Sequence, residues 1–378
     1  MRPRRSIQRR RVMQSIQDKG QLGSVSSLRA QLHLLPKVDL HRHLEGSLRL
    51  QTLAEIAREH GIDLPSYDIE YLRPFVTVAD DEPDFHRFLE KFRLLQRFYP
   101  SRAAVERIAY EAVADAAEDN IKYLELRFNP LAQARVQGFS LDEVTTWICS
   151  AVDRAQRDYD VHVNLILSIR RDVSLDIASE IADLAVAHLG DGVVGLDLTG
   201  DEIGYPADRF VDVFRQAHQE GLHVTVHAGE AGGAENVRQA VELLGAERIG
   251  HGIRAVENSY VVHLLQERKV ALEICPTSNL QTGAVRRFGQ HPLMDLLAVG
   301  LRVTINTDDP SVSDTTLTDE YVVAMMTMGL TLNQIKRAIL IAADSAFLPP
   351  EERERLVAWF RDQLRPNPGD HAVGLLWA

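Results

Sequence analysis

Short apolar runs alternate with longer amphipathic stretches from residue 37 to about residue 348. Eight of these runs are rich in Val, Ile and Leu, as is typical of parallel strands buried on both faces. They predict strands at 37–41, 121–128, 161–169, 193–199, 223–227, 248–251, 271–275 and 302–307. Helix-compatible stretches lie between most of them, such as 174–188, 207–219 and 234–244. The alternation predicts a (β/α)8 TIM barrel.

The first connection between strands is far longer than the others. About eighty residues separate the first two predicted strands, with helical patterns at 50–60, 84–97 and 102–118. Such a helical insertion would lie over the C-terminal mouth of the barrel, where barrel enzymes keep their active sites. Phe85, Phe88, Leu89 and Phe92 fall on one helical face. That face either packs onto the barrel or forms a lid over a flat apolar ligand. Two helical stretches, 332–343 and 350–364, end the pattern.

The composition fits one large globular unit. The 378 residues are 45% apolar and 25% charged, which suits a substantial core. The net charge of −12 argues against a nucleic-acid-binding surface, because phosphate contacts need clustered Lys and Arg. No stretch approaches 18 uninterrupted apolar residues, so no membrane span is expected. Cys149 and Cys275 are too few for a disulfide framework, which favours a reducing cytoplasm. The oligomeric state stays open.

The chain ends differ from this average. Residues 1–11 hold six arginines, and no acid precedes Asp18, which is typical of a disordered tail. A transit peptide would need an amphipathic apolar face that this segment lacks, and translation starting at Met13 would explain the same pattern. We therefore expect a basic disordered tail at 1–30, one metal-dependent barrel domain at 31–365 and a C-terminal tail at 366–378.

Four potential metal ligands lie at the ends of predicted strands. His41 and His43 end the first strand, His227 ends the fifth and Asp308 follows the eighth. Residues i and i+2 of an extended chain project to the same face, so His41 and His43 can converge on one ion. Each residue alone has an ordinary alternative, such as a buried core histidine or an acidic helix cap. Together at one barrel mouth, the four predict a catalytic zinc site with one open position.

Residues close to these ligands indicate a metal hydrolase. Zinc would lower the pKa of bound water from 15.7 to about 7 and give a hydroxide at neutral pH. Glu230 and Asp309 supply acid–base and hydrogen-bonding groups, and His251 is placed to orient the hydroxide and stabilise charge. One metal is expected, because the fourth strand at 193–199 contains no lysine that could bridge a second one.

Taken together, these stretches resemble the adenosine deaminase family. The matching motifs are PKVDLHRHLEG at 36–46, LDLTGDE at 196–202, HAGE at 227–230, RIGHG at 248–252 and NTDDP at 306–310. CPTSNLQT at 275–282 is similar to the bacterial branch of the family. The resemblance covers about residues 35–365, and the combination in this order is highly specific. It implies zinc-dependent hydrolytic deamination of adenosine and 2′-deoxyadenosine in purine salvage.

The resemblance also implies a role for each matching residue. The four predicted ligands would hold one zinc ion per chain. The purine nucleoside would be met by a further set: Glu230 protonating ring N1, His251 steering the hydroxide, Asp309 bonding N7, the Gly200 N–H meeting N3, and Phe88 in a ribose-side lid. This chemistry is sensible in itself, because an aromatic ring accepts a nucleophile only if the adjacent nitrogen is protonated as charge builds.

One position departs from the family pattern. Adenosine enzymes usually carry aspartate where this chain has Glu45, and that aspartate touches the ribose 5′-hydroxyl. Because adenine deaminases also carry glutamate there, the free base is an alternative substrate. A 5′-substituted adenosine such as aminofutalosine is another, since Arg170 or Arg171 could pair with its carboxylate. A surface salt bridge between these arginines and Asp172 or other acids is the simpler interpretation. The stretch FLEKF at 88–92 favours nucleosides.

Two further classes of protein remain possible at this point. A barrel amidohydrolase acting on an amide or ester would use the same hydroxide but would not need Glu230 or Asp309 beside a ring nitrogen. A non-catalytic relative is disfavoured by the intact ligand set. The unrelated zinc deaminases that carry HxE and PCxxC motifs are excluded, because the sequence contains no CxxC.

Overall fold

The computed structural model describes residues 22–78 and 81–365. Eight parallel strands are paired in chain order, each with the next. Their bounds are β1 Lys37–His43, β2 Ile121–Phe128, β3 His162–Arg170, β4 Val193–Thr199, β5 His223–Ala228, β6 Arg248–His251, β7 Ala271–Ile274 and β8 Arg302–Ile305. All eight predicted strands are confirmed, with ends that differ by at most two residues.

The barrel closes where the chain leaves β8 and meets β1. Arg42 and Asp308 form an isolated parallel bridge. The Asp308 N–H donates to the His41 carbonyl at 2.8 Å, and the His43 N–H donates to the Asp308 carbonyl at 2.8 Å. The predicted TIM barrel is therefore confirmed, and its closing hydrogen bonds lie among three of the predicted metal ligands.

Helices follow the strands on the outside of the barrel, as the alternating pattern predicts. They are α1 Leu22–Leu34, α2 Leu50–His60, α3 Ile69–Val76, α4 Phe85–Leu95, α5 Arg102–Glu118, α6 Pro130–Ala134, α7 Leu141–Asp158, α8 Leu175–Ala187, α9 Val211–Gln219, α10 Ala234–Leu243, α11 Ser259–Glu267, α12 Pro276–Gln281, α13 Leu293–Ala298, α14 Pro310–Ser313, α15 Leu317–Met328, α16 Leu332–Asp344 and α17 Pro350–Gln363.

The long insertion after β1 carries α2 to α5. Three of its helices start at side-chain caps: Asp68 accepts the Tyr71 N–H at 3.1 Å, Asp84 accepts the Arg87 N–H at 2.8 Å, and Ser101 accepts the Ala104 N–H at 3.3 Å. The predicted helix at 84–97 is divided into α4 and a 3₁₀ turn at Gln96–Phe98. Helix α3 has no counterpart in the sequence prediction, since it is short and contains Pro74.

The N-terminal boundary lies earlier than the sequence indicated. Helix α1 begins at Leu22, so the expected boundary between tail and domain at residue 31 falls inside a helix. Val25 and Leu32 are buried in the core, and Arg29 pairs with Asp319 of α15 at 2.7 Å. Apolar burial therefore assigns residues 22–30 to the barrel domain. The rest of the two predicted tails lies outside the described residues. No helix in the described ranges has the length and apolarity needed to cross a membrane.

Candidate active site

A cavity of about 500 Å³ opens at the C-terminal ends of the strands. Its wall contains nine of the predicted site residues, namely His43, Glu45, Phe88, Gly200, His227, Glu230, His251, Asp308 and Asp309. The tenth, His41, is fully buried directly behind them. Helix α4 covers the cavity with Phe85, Phe88, Leu89 and Phe92, which is the apolar face that the sequence predicted. The structure thus brings the whole predicted set to one place.

Three imidazoles and one carboxylate converge at the floor of this cavity. Asp308 Oδ1 lies 3.3 Å from His41 Nε2 and 3.5 Å from His43 Nε2. The Nε2 atoms of His43 and His227 are 3.2 Å apart. Among the described residues, His41 Nε2 is buried without a hydrogen-bond partner. Ring nitrogens and a carboxylate oxygen that face one another in this way fit the coordination of a single metal ion.

The opposite ring nitrogens are held by buried carboxylates. His41 Nδ1 lies 2.8 Å from Glu273 Oε2, and His227 Nδ1 lies 2.9 Å from Asp197 Oδ1. Each Nδ1 therefore donates its proton, which leaves Nε2 free to bind metal. Burial lowers the pKa of His43 well below its usual value and that of His227 to about 4, so both rings are neutral, as ligands must be.

One guanidinium joins these two carboxylates. Arg127 donates to Asp197 Oδ2 at 3.1 Å and to Glu273 Oε2 at 2.8 Å, and all three side chains are fully buried. Although burial alone would raise the pKa of Glu273, Arg127 and Arg248 hold that pKa well below its usual value. Arg127 and Glu273 were not among the site residues predicted from the sequence. The available signal was their occurrence as charged residues inside otherwise apolar strands.

Two site residues have backbones in the left-handed region. His251 has φ +61° and Asp308 has φ +64°, which is uncommon for residues with a Cβ. Both follow or end a strand at the cavity, and the barrel-closing hydrogen bonds fix Asp308 between His41 and His43. Such conformations persist where the surrounding structure imposes them, and they cluster at functional sites.

Glu230 and His251 face each other beside the converging imidazoles. His251 Nε2 is 3.5 Å from Glu230 Oε2 and 3.9 Å from Asp308 Oδ2. Because of this proximity, His251 also shares a possible metal-binding group with His41, His227 and Asp308, while His43 forms another with Asp197 and His227. Burial raises the pKa of Glu230, and the charge of Asp308 adds to that effect. A raised pKa favours the protonated acid, the form that can donate.

The segment that carries Glu230 is anchored by a second glutamate. The Glu202 carboxylate accepts four successive backbone N–H groups, from Gly229, Glu230, Ala231 and Gly232, at 2.8 to 2.9 Å. Asn236 adds a side-chain hydrogen bond to Glu202 at 3.0 Å. Glu202 therefore fixes the loop after β5. Glu202 belongs to the LDLTGDE motif at 196–202, but the sequence alone predicted no role for it.

Glu45 and Asp309 line the cavity, and each has one buried carboxylate oxygen without a hydrogen-bond partner among the described residues. Glu45 Oε1 accepts the Asn129 N–H at 2.6 Å and the Gln133 amide at 2.9 Å. Within residues 22–78 and 81–365, the buried Glu45 Oε2 and Asp309 Oδ1 have no hydrogen-bond partner. Burial raises the pKa of Glu45; burial followed by the charge of Asp308 raises the pKa of Asp309 well above its usual value.

The two candidate carboxylate-binding arginines have different environments. Arg170 lines the cavity and pairs with Asp172 through two contacts of 2.9 and 2.6 Å, which is the simpler interpretation given above. Arg171 is buried and donates to the carbonyls of Tyr205 at 3.1 Å and His227 at 2.8 Å. Arg171 therefore supports the end of β5, and Arg170 is the one with access to a ligand.

Comparison with known proteins gives consistent matches. The model of the adenosine deaminase family matches residues 36–362. An adenosine deaminase of Clostridium botulinum is 39% identical over 326 residues, which cover 86% of this chain and 97% of that protein. The structure of an adenine deaminase from Arthrobacter aurescens matches with a TM-score of 0.81 and 28% identity, covering 88% and 100% of the two chains. An amidohydrolase from Burkholderia ambifaria with bound Zn matches with a TM-score of 0.81 and 27% identity, covering 89% and 92%.

Proposed function

Because this chain belongs to the adenosine deaminase family, we propose that it hydrolyses adenosine and 2′-deoxyadenosine to inosine and 2′-deoxyinosine with release of ammonia. The observation that carries the proposal is one cavity in which a metal-binding cluster, a buried acid at Glu230 and a buried acid at Asp309 face the same space. An ester or amide hydrolase would need only the cluster.

His41, His43, His227 and Asp308 would hold one zinc ion. The donor set suits zinc, and the buried His41 Nε2 supports this assignment, since no described residue satisfies it. The related amidohydrolase of B. ambifaria was solved with bound Zn. When bound, zinc supplies the Lewis acidity that makes a water molecule nucleophilic at neutral pH.

Glu230 provides the proton that the purine ring requires. As the water oxygen bonds to C6, the electron pair of the C6–N1 double bond moves to N1 and takes the proton of Glu230. One proton of the water passes to the amino group and the other restores Glu230, the C6–N6 bond breaks, and ammonia leaves a 6-oxopurine protonated on N1. His251 Nε2, 3.5 Å from Glu230 Oε2, is placed to contact the attacking oxygen.

Asp309 and Gly200 would orient the base. Purine N7 is only an acceptor, so a carboxyl group can bond it only while protonated. The raised pKa of Asp309 favours that form. Gly46 allows Asp309 to lie where it does, because a Cβ at residue 46 would be 1.9 Å from Asp309 Oδ1. Gly200 has φ +100° at the cavity wall, where its N–H would meet N3.

Glu45, Phe88 and Phe92 favour a nucleoside over the free base. With Oε1 occupied by the protein, the unsatisfied Oε2 of Glu45 is suited to accept the ribose 5′-hydroxyl. The rings of Phe88 and Phe92, 5.9 Å apart, cover that side of the cavity. Adenine is the second candidate substrate, because the adenine deaminase of A. aurescens has the same fold over nearly the whole chain. A 5′-carboxylated adenosine would have to compete with Asp172 for Arg170.

The test compares kcat/KM for adenosine, 2′-deoxyadenosine, adenine, a 5′-thio-substituted adenosine and aminofutalosine, followed by absorbance with and without chelator. We expect the two unsubstituted nucleosides to be fastest and the chelator to stop the reaction. Phe88→Ala should lower kcat/KM for adenosine more than for adenine. Faster turnover of adenine than of every nucleoside would refute the lid assignment. Absence of ammonia release from every 6-aminopurine by the metal-replete protein would refute the proposal.

A further inference from the structure

Asn279 and His291 lie behind Glu230 and His251, outside the cavity wall. Asn279 belongs to α12, and His291 precedes α13; both are buried. Asn279 contacts both Glu230 and His251, and His291 contacts Asn279. Neither residue would touch a substrate, so any effect on the reaction must pass through the pair in front of them.

The direction of this hydrogen-bond chain is set by a backbone amide. The Leu293 N–H donates to His291 Nδ1 at 3.0 Å. A backbone N–H can only donate, so His291 Nδ1 must be unprotonated. Burial lowers the pKa of His291 to about 4, which keeps the ring neutral with its one proton on Nε2. His291 Nε2 lies 3.2 Å from Asn279 Oδ1 and therefore donates to it.

The orientation of the Asn279 amide in turn determines its hydrogen bonds to Glu230 and His251. With Oδ1 accepting from His291, its amide nitrogen lies 3.1 Å from Glu230 Oε1 and 3.1 Å from His251 Nδ1. The amide nitrogen has two protons and only donates, so it gives one to each. The reverse amide orientation would place Oδ1 against the Glu230 carboxyl and NH2 against the His291 N–H. The observed orientation satisfies every contact, and it makes His251 Nδ1 an acceptor.

We propose that His291 and Asn279 are positioning residues that fix His251 as the tautomer protonated on Nε2 and hold Glu230 beside it. This inference rests on the proposed function for the roles of His251 and Glu230, but its hydrogen-bond geometry does not. The protonated Nε2 faces the cavity, 3.9 Å from Asp308 Oδ2. A protonated ring nitrogen cannot coordinate a metal. The chain therefore keeps His251 out of the ligand set and makes it a donor toward the reacting atoms.

The test reads the His251 tautomer directly. The full-length zinc-loaded protein, labelled with 15N-histidine, is measured at pH 7 by long-range 1H–15N correlation, with His251 assigned from the loss of its signals in His251→Gln. We expect an unprotonated Nδ1 and a protonated Nε2. Asn279→Asp replaces the donor by a carboxylate and should move a proton to His251 Nδ1. Protonated Nδ1 in the unaltered protein, or an unchanged tautomer in Asn279→Asp, would overturn the proposal.

Kinetics and metal content separate positioning from general loss of structure. His291→Leu should lower kcat for adenosine about ten- to a hundredfold, the usual effect of losing an orienting partner, with KM and zinc content unchanged. His291→Gln can accept from Leu293 and donate to Asn279, so it should restore most of kcat. The exposed His263 gives the control His263→Leu. Loss of zinc in step with activity, or full activity in His291→Leu, would contradict the proposal. If no purine reacts at all, the 1H–15N spectra still test whether Asn279 fixes the tautomer of His251.

Discussion

At the scale of single residues, Glu230 is a buried carboxyl group that is proposed to donate a proton. It is held by Thr282 at 3.0 Å and Asn279 at 3.1 Å, and burial raises its pKa. Glu230→Gln keeps the size and hydrogen-bonding capacity of the side chain but removes the transferable proton. We predict a fall in kcat of about 10²- to 10⁴-fold with zinc content unchanged, measured by adenosine turnover and metal analysis. Exposed Glu267 gives the control Glu267→Gln. Substantial remaining turnover would disprove the proton-donor role.

Gly46 shows how one missing methyl group shapes the site. A Cβ there would lie 1.9 Å from Asp309 Oδ1 and 2.4 Å from Asp309 Cβ, so Gly46→Ala must displace the side chain proposed to bind N7. A displacement near 1 Å can cost roughly a hundredfold in kcat/KM, and we predict a loss of that order for adenosine. Gly289→Ala is the matched control, since a Cβ there meets nothing within 4 Å. Equal activity of the two variants would show that Asp309 does not position the substrate.

At the scale of elements, Glu320 holds the start of α12, the helix that carries Asn279. Its carboxylate accepts the Thr277 N–H at 3.0 Å and the Thr315 hydroxyl at 2.7 Å. Burial raises the pKa of Glu320 from 4.5 to about 7. Between these two values the folded protein keeps a proton that the unfolded chain releases. The unfolding free energy therefore falls as pH rises through this window. Above about pH 7 the decrease is complete and the lower stability persists.

Glu320→Gln removes this ionisation while keeping an acceptor for the Thr277 N–H. Relative to the variant, we predict that the unaltered protein loses roughly 2–4 kcal/mol of unfolding free energy between pH 5 and pH 8. Urea unfolding at several pH values measures the difference, which should level off at the upper end of the range. If the unfolding free energies of the two proteins change with pH in the same way, Glu320 has the same pKa in the folded and unfolded states.

The elements themselves could largely be predicted from the chain, for a local reason. A strand such as Val193–Thr199 is buried on both faces, so its own residues carry the signal. Helix α3 gave no such signal, because Pro74 interrupts it and much of it is exposed. The N-terminal domain boundary was placed too late for a different reason: Val25 and Leu32 are buried in a helix that packs against α15, which no local pattern reveals.

At the scale of the whole molecule, the sequence predicted the metal ligands and their meeting at one barrel mouth. It did not predict the buried residues that orient those ligands. The strand ends that carry His41, His227 and Asp308 meet because a parallel barrel brings all its C-terminal ends to one mouth. The partners that orient these ligands are separated along the chain, as with Arg127 and Glu273, 146 residues apart. Charged residues inside an apolar strand indicate burial with a partner, yet the identity of that partner emerges only from the folded barrel.

Arg127 is therefore the residue at which fold and metal site can be tested together. Arg127→Leu would leave the carboxylates of Asp197 and Glu273 buried without their shared cation, and removing one partner of a buried ion pair costs about 3–5 kcal/mol. Because these carboxylates orient His227 and His41, zinc affinity should also fall about 10- to 100-fold. Thermal unfolding across a zinc titration measures both effects. Arg215→Leu, which removes an exposed pair with Asp212, should alter neither. Lost stability with unchanged zinc affinity would mean that the imidazoles keep their orientation without the shared guanidinium, and that the barrel interior supports the fold independently of the metal site.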